Sequence, residues 1–334
     1  MPLMSEPPKE FQPDLPPLDE ADRKLIDLLC EDGRMSGRDI AQRSGLSEAN
    51  VSRRLARLVE EGSVRILAMV PAELLGLHVR TILLLRCKGD PDASARRLSQ
   101  LKHVHWCGST FGEFDIVMYA VLRDAQHLID FVDEIFAGDP NLENLVICPV
   151  LDYYSPKPHQ ETTDGVSKER MRARRGGSEI DETDRLLIHA LQANGRASFA
   201  ELAEASGISA TSAADRFRRL VSEGIVTILT LPSPARIGNL VRVTACISVK
   251  GPMRKVLEAA ASIPGSLWPC ATAGPYGVVM DFACPDEQAM NRMRARLMEI
   301  PGVSSVGLSL HRRVLRDDLT WGAESAPARP ASHA

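Results

Sequence analysis

The sequence predicts an α+β chain in which one unit occurs twice, a three-helix segment followed by a β-α-β-β-α-β segment. Three observations carry this. The first is repetition: Leu18-Asp19-Glu20-Ala21-Asp22-Arg23 returns as Ile180-Asp181-Glu182-Thr183-Asp184-Arg185, an offset of 162 (181 less 19). The same offset carries Gly33-Arg34 to Gly195-Arg196, Ser44-Gly45 to Ser206-Gly207, Arg57-Leu58-Val59 to Arg219-Leu220-Val221, Trp106 to Trp268 and Gly112 to Gly274. A gap-free register of this length marks a duplicated, domain-sized unit rather than solenoid turns. The second is a change of hydrophobic period within each copy, from helical spacing to strand-like runs. The third is the punctuation by Gly, Ser and Asp where helices should start and stop.

In the first copy, Asp19, Glu20 and Asp22 suit a helix N-terminus, and Leu25, Ile26, Leu28 and Leu29 form its apolar stripe. Asp39-Ile40-Ala41 opens a second short helix. Ser44-Gly45-Leu46-Ser47 supplies a turn glycine and an N-capping serine. A third helix follows, with Val51, Leu55, Leu58 and Val59 expected on one buried face, and Gly62 suits its left-handed cap. Val64 to Leu67 reads as a strand. Strands are then expected at Val79–Leu85, His103–Ser109, Asp115–Leu122 and Leu145–Val150. The helices between them are Asp92–Leu101, with Ala95, Leu98 and Leu101 inward, and Ala125–Ile135, with Leu128, Ile129, Val132 and Ile135 inward. This order is the ferredoxin-like arrangement. Val241–Val249, Lys255–Ser262, the Ala271–Cys284 pair of strands and Gln288–Met298 repeat it. The expected domains are therefore 18–67 and 180–229 for the helical units and 68–154 and 230–321 for the sheet units. Residues 1–17 and 322–334 read as a disordered leader and tail, and 155–179 as a linker with the basic run Lys168 to Arg175.

Composition bounds the function. A chain of 334 residues, 44% hydrophobic and 25% charged, can bury several cores. It has no apolar run of membrane-spanning length and no signal-peptide pattern, so a cytoplasmic protein without a membrane partner is expected. The seven cysteines form no C-x-x-C pair, which argues against a disulfide framework. A formal net charge of −4 gives no global attraction to nucleic acid, so any such role must rest on local charge.

The three-helix unit with a Ser-Gly-Leu-Ser turn reads as a helix-turn-helix, whose second helix presents its N-terminal residues to base edges. The non-core face there offers Ser47, Glu48, Asn50, Ser52, Arg53, Arg54 and Arg57. Arginine pairs with phosphate or guanine edges, and Ser and Asn add directed hydrogen bonds. The second copy offers Ser209, Thr211, Ser212, Asp215, Arg216, Arg218 and Arg219. Arg53 has become Asp215 and Ala56 has become Arg218, so Asp215 should weaken the second head or pair with Arg216 or Arg219.

These residues resemble the Lrp/AsnC (feast/famine) transcriptional regulators. The resemblance rests on the Leu-Asp-x-x-Asp-Arg opening, Gly33-Arg34, the Ser44 to Ser47 turn, Arg54-x-x-Arg57-Leu58, Glu61-Gly62, Leu75-Gly76 and Gly112-Glu113-Phe114-Asp115. It implies a winged helix-turn-helix followed by a ferredoxin-like effector domain, in tandem. The implied partners are double-stranded DNA, an amino acid or related small molecule, and self-association through the sheet domains. The implied effector site is Gly112, Glu113, Phe114 and Asp115, with Trp106 nearby, in the first copy only, because the second reads Gly274-Pro275-Tyr276-Gly277. As a bare turn, the same tetrapeptide is also a plausible hairpin.

Two competing chemistries are weak. His103, His105 and Cys107 share a strand face but lack an evident fourth ligand, so no metal is expected. No nucleophile elbow, P-loop or dinucleotide fingerprint occurs, so neither a catalytic residue nor a cofactor is expected. Siroheme decarboxylases resemble the same family and also occur as tandem fusions, but no His or Arg lies between Trp106 and Arg123. A small-molecule sensor without DNA binding is the remaining alternative.

Overall fold

The computed structural model describes residues 18–156, 168–170, 180–233 and 241–318. The expected leader and tail lie outside the described residues, as does the linker apart from 155–156, which end a strand, and 168–170.

Each head is three helices and a strand: α1 (Glu20–Glu31), α2 (Gly37–Ser44), α3 (Glu48–Glu60) and β1 (Val64–Met69) in the first. In the second they are α6 (Glu182–Ala193), α7 (Phe199–Ser206), α8 (Ala210–Ser222) and β7 (Thr227–Pro232). Local chemistry sets these boundaries. The Asp19 and Asp181 carboxylates cap α1 and α6 within reciprocal capping boxes. Gly45 and Gly207 end α2 and α7 at φ of 78° and 69°, and Ser47 and Ser209 cap α3 and α8. One inward residue differs from expectation: Val59 is 51% exposed, because Val51 and Leu58 already fill the α3 contact with the core.

The first sheet unit comprises β2 (Val79–Cys87), α4 (Pro91–Leu98), β3 (Val104–Gly112), β4 (Ile116–Leu122), α5 (Ala125–Gly138) and β5 (Leu142–Pro156), to which β6 (Lys168–Arg170) adds a short pairing. The second comprises β8 (Val241–Val249), α9 (Met253–Ala261), β9 (Ser266–Thr272), β10 (Val278–Cys284), α10 (Glu287–Met298) and β11 (Val303–Asp317). On α5 the buried residues are Phe131 and Ile135, whereas Ile129 is 57% exposed, which corrects the inward face read from spacing. The helix runs on to Gly138, and Phe131 takes the core position. Helix α4 stops at Leu98 because the Ser99 cap turns the chain.

The two sheet units do not stand apart. Strand order runs β2-β4-β3-β11-β8-β10-β9-β5, and β5 returns to β2, so eight antiparallel strands close into a barrel. Strands β5 and β11 are each fifteen residues long because each pairs within its own unit and continues across the seam to the other. Closure leaves no free edge in the ring. The interior receives side chains from all eight strands, among them Leu84, Trp106, Val117, Cys148, Cys246, Cys270, Val279 and Val314. Alternate residues such as Leu83 and Leu85 face outward against α4 and α5.

Candidate nucleic-acid interface and ligand site

The heads are built around buried aspartates. Asp22 is 2% exposed, and a carboxylate in that position demands charged partners. It receives Arg54 Nη1 at 2.7 Å and Arg57 Nη2 at 2.6 Å, while Arg54 also reaches Asp19 at 2.8 Å and Arg57 reaches Glu61 at 3.1 Å. The second head repeats the arrangement, with Arg216 on Asp184 at 2.9 Å and on Asp181 at 2.7 Å, and Arg219 on Asp184 at 2.5 Å. The Asp22 backbone N–H and the Arg54 guanidinium hold the Asp19 carboxyl below its usual range. Arg54, Arg57, Arg216 and Arg219 were expected on the reading face. The structure instead turns their guanidiniums onto α1 and α6, where they tie the recognition helix to the head.

What remains outward on the reading face of α3 is Glu48, Ser52 and Arg53, with Asn50 half-buried beside them. Asn50 Oδ1 accepts from Arg53 at 3.3 Å and from Arg54 at 3.1 Å, and the Ser47 hydroxyl is occupied with the Asn50 N–H. On α8, Thr211 is exposed, and the Ser209 hydroxyl caps the Ser212 N–H. Asp215 does pair internally, but with Arg218 at 2.7 Å rather than with Arg216 or Arg219, which are already bound to α6.

The heads are joined to each other. β1 and β7 form an antiparallel ribbon from Val64↔Pro232 to Met69↔Thr227. Arg34 donates to the carbonyls of Gly195 (2.7 Å) and Ala197 (2.8 Å), and Arg196 donates to those of Gly33 (2.7 Å) and Met35 (2.9 Å). The Gly195 N–H reaches the Ile66 carbonyl at 2.8 Å, and a Cβ there would lie 2.8 Å from the Leu67 nitrogen. The repeated Gly-Arg pair is thus the interlock between the heads, a role that its sequence position alone does not reveal. Arg65 on β1 meets Asp317 at the end of β11 at 2.8 Å, linking the ribbon to the barrel.

The Gly112 to Asp115 turn lies at the seam between the sheet units. Gly112 adopts φ of 141°, and a Cβ there would collide with the Leu308 carbonyl. The Glu113 and Phe114 amides donate to Leu308 O and Ser309 Oγ, both at 3.0 Å. Asp115 is committed to the fold, since its carboxylate accepts the Cys87 N–H at 3.0 Å. Glu113 Oε1 accepts from the Tyr276 hydroxyl at 2.8 Å, and burial together with that carboxylate pushes the Tyr276 hydroxyl up. Phe114 packs edge-on to Tyr276 at 6.0 Å. The turn of the first unit therefore meets the Gly274 to Gly277 turn of the second, two segments that the sequence reading kept separate.

Trp106 faces the barrel interior. Its ring lies 4.9 Å from that of His311, and the Arg242 guanidinium sits 4.8 Å over it. Arg242 binds Asp281 at 2.6 Å, and Thr244 Oγ1 lies 2.6 Å from Asp281 and 2.7 Å from His311 Nε2. Burial lowers His311 to about 4, so it is neutral at neutral pH. Burial works against the Asp281 charge, yet the Arg242 guanidinium and the Thr244 hydroxyl hold its carboxyl below the usual range. A histidine and an arginine thus do reach Trp106, from the other half of the chain. Trp268, its equivalent by offset, instead packs with Met69, Leu77 and Leu229 beneath the head ribbon.

His103, His105 and Cys107 do not converge. His103 meets the His127 ring edge-on at 4.5 Å, His105 is buried, and Cys107 Sγ faces the Ala95 carbonyl of α4 at 3.5 Å.

Comparison with known proteins agrees with this architecture. Residues 18–65 match the winged helix-turn-helix DNA-binding signature, 180–221 the AsnC-type helix-turn-helix domain and 82–159 the Lrp/AsnC ligand binding domain. The HTH-type transcriptional regulator FL11 of Pyrococcus abyssi is 30% identical over 149 residues, which span 95% of that protein and 44% of this chain. The chain belongs to the Lrp/AsnC family. Ptr1 of Methanocaldococcus jannaschii, another HTH-type transcriptional regulator, is 33% identical over 119 residues, 80% of its length and 35% of this one. Such relatives cover one copy, whereas this Lrp/AsnC chain holds two. The siroheme decarboxylase NirDL shares the whole arrangement, with a TM-score of 0.62 over 91% of this chain and 96% of its own. At 13% identity that likeness shows the fold alone.

Proposed function

We propose that this Lrp/AsnC chain is a sequence-specific DNA-binding transcriptional regulator whose two heads form a dimer-like pair within one polypeptide. The observation that carries the reading is the interlock of β1 with β7 and of Arg34 with Arg196, which fixes two capped recognition helices in one rigid body. Helix-turn-helix domains act as pairs held in a set geometry, and this ribbon supplies the pairing without a second chain. The relatives' designation as transcriptional regulators supports it.

A small molecule, an amino acid or a relative of one, modulates the regulator at the seam where Glu113 meets Tyr276, within the segment matched to the ligand binding domain. The chain acts as a binding protein rather than an enzyme. Beside Trp106, Arg242 is bound to Asp281 and His311 Nε2 is engaged by Thr244. Among the described residues no helix is long and apolar enough to cross a membrane, and a regulator of this kind works in the cytoplasm, where its DNA lies.

The test is binding of the full chain to the upstream DNA of its own gene across a salt series. Salt-dependent, saturable binding is expected, because phosphate neutralisation makes affinity fall with salt. Absence of any such binding would leave a sensor without DNA contact. Bound siroheme, with a porphyrin-type absorbance band and release of carbon dioxide, would favour the decarboxylase instead.

A further inference from the structure

We propose that operator reading is one-sided: the first head grips DNA, and the second is the scaffold that holds it. This rests on the regulator reading above and adds which head does the work.

The first observation is electrostatic. In a helix-turn-helix the first helix of the motif crosses the phosphate backbone, and the start of the second approaches the bases. In the first head, α2 brings Arg38 and Arg43 to that crossing, with Asp39 beside them and Arg43 ion-paired to Glu31 of α1, which leaves Arg38 as its exposed cation. In the second, α7 brings Glu201 and Glu204 and no lysine or arginine. Like charges facing a phosphate backbone oppose docking. Past their first turns, where α3 carries Glu48 and α8 carries Ala210, the recognition helices differ in the same sense. Arg53 is exposed and bonded to a neutral partner, Asn50, so its charge is available to a phosphate or a guanine edge. Its equivalent is Asp215. The cations of α8 are all matched by carboxylates: Arg216 by Asp181 and Asp184, Arg219 by Asp184 and Glu223, and Arg218 by Asp215.

The second observation is independent of charge. The Arg34 guanidinium, while donating to the second head's carbonyls, lies 5.4 Å over the Phe199 ring and 4.7 Å over the Phe217 ring. Those two rings pack 5.8 Å apart. Desolvated arginine on an aromatic face is a favourable contact. The equivalent positions in the first head are Gly37 and Leu55, which offer no ring. The second head thus presents an aromatic platform to the first head's arginine and fewer unmatched cations to DNA. Both changes point one way.

The consequence is a non-palindromic operator, with one informative half-site per chain. The experiment selects duplexes from a random-sequence pool with the full-length protein and then measures affinity for the recovered duplex by fluorescence anisotropy. Arg53→Ala with Asn50→Ala should weaken binding at least roughly ten-fold, the scale of one good base or phosphate contact. Thr211→Ala with Arg218→Ala should change it less than about three-fold, since that face supplies little of the binding. Asp215→Arg should tighten binding and steepen the salt slope by about one, because it adds a phosphate-capable cation. A gain of this kind cannot come from misfolding. Equal losses from the two double variants, or weaker binding by Asp215→Arg, would overturn the one-sided assignment while leaving the regulator standing. A parent chain that selects no duplex would overturn both.

Discussion

Replacing Asp22 by asparagine tests the claim that the conserved-by-duplication arginines serve the fold. The Asp22 side chain is 3% exposed and receives two guanidinium donors at 2.6 and 2.7 Å. Hydrogen bonds to a charged group are worth about 1.5–3 kcal/mol each. Asparagine keeps one acceptor oxygen, so one bond survives in neutral form and the other is lost. Stranding a buried charge would add more, up to about 3–5 kcal/mol. Arg54 and Arg57, however, are 23% and 35% exposed and can turn to water. The net cost is about 2–3 kcal/mol, equivalent to a roughly 30- to 150-fold rise in local opening. Hydrogen exchange of peptides from α1 and α3 reads this directly and avoids assuming two-state unfolding of a multidomain chain. Asp184→Asn should do the same to α6 and α8, where the distances are 2.9 and 2.5 Å. A change below about five-fold, or one spread evenly over barrel peptides, would refute the reasoning, since a buried pair of this kind must register locally.

Three further outcomes are expected. Gly195→Ala should disrupt the head pair more than Gly33→Ala, by about 1–3 kcal/mol in thermal or denaturant unfolding. The reason is that its Cβ meets backbone at Leu67 and Ile66, whereas that of Gly33 meets the yielding side chains of Ile228, Ile66 and Thr230. Acidification should loosen the barrel: His105 and His311 are lowered by burial from 6.5 to about 4, so their neutral form is the folded one. Their contribution is complete above pH 6.5 and fades as pH falls toward 4, about 2 kcal/mol per histidine between pH 7 and 5. Circular dichroism melts across that range should show it, and His311→Gln should remove about half; pH-independent melts would contradict it. In a thermal-shift panel of amino acids, Asp115→Ala should lower the unliganded melting temperature yet keep any ligand shift, because its carboxylate holds Cys87. Loss of the shift alone would return Asp115 to the ligand site.

The heads were legible from sequence because their determinants are local. Gly45, Ser47, Gly62 and the acidic first turn each act within a few residues. The barrel closure was not, because β3 with β11 and β5 with β9 are pairings between distant edges that carry no partner code in their alternation. The arginine contacts with Asp22 are hidden from the sequence for a related reason. Arg54 and Arg57 face away from the core, and helix periodicity cannot distinguish a solvent-facing cation from one folded back onto Asp22 from thirty-two and thirty-five residues earlier. A signal was available: Asp22, Arg54 and Arg57 all recur at the offset of 162, whereas Arg53 does not. Asp22, Arg54 and Arg57 and their counterparts tie the helices of each head together, whereas Arg53 and Asp215, which differ between the copies, face outward. Ile129 shows the limit of spacing arguments, since Phe131 outcompetes it for the core.

Joining the two sheet units into one ring changes what dilution can do to this molecule. In a two-chain assembly the pairing of heads depends on how many copies are present, and the pair dissolves when copies are scarce. Here the strands on either side of each seam belong to one polypeptide, so their local concentration is set by the tether rather than by expression level. A single molecule carries a complete head pair. Control by separating the halves is correspondingly closed to it, and β11, which runs from its seam with β3 to the Arg65–Asp317 pair, physically joins the ring to the head ribbon.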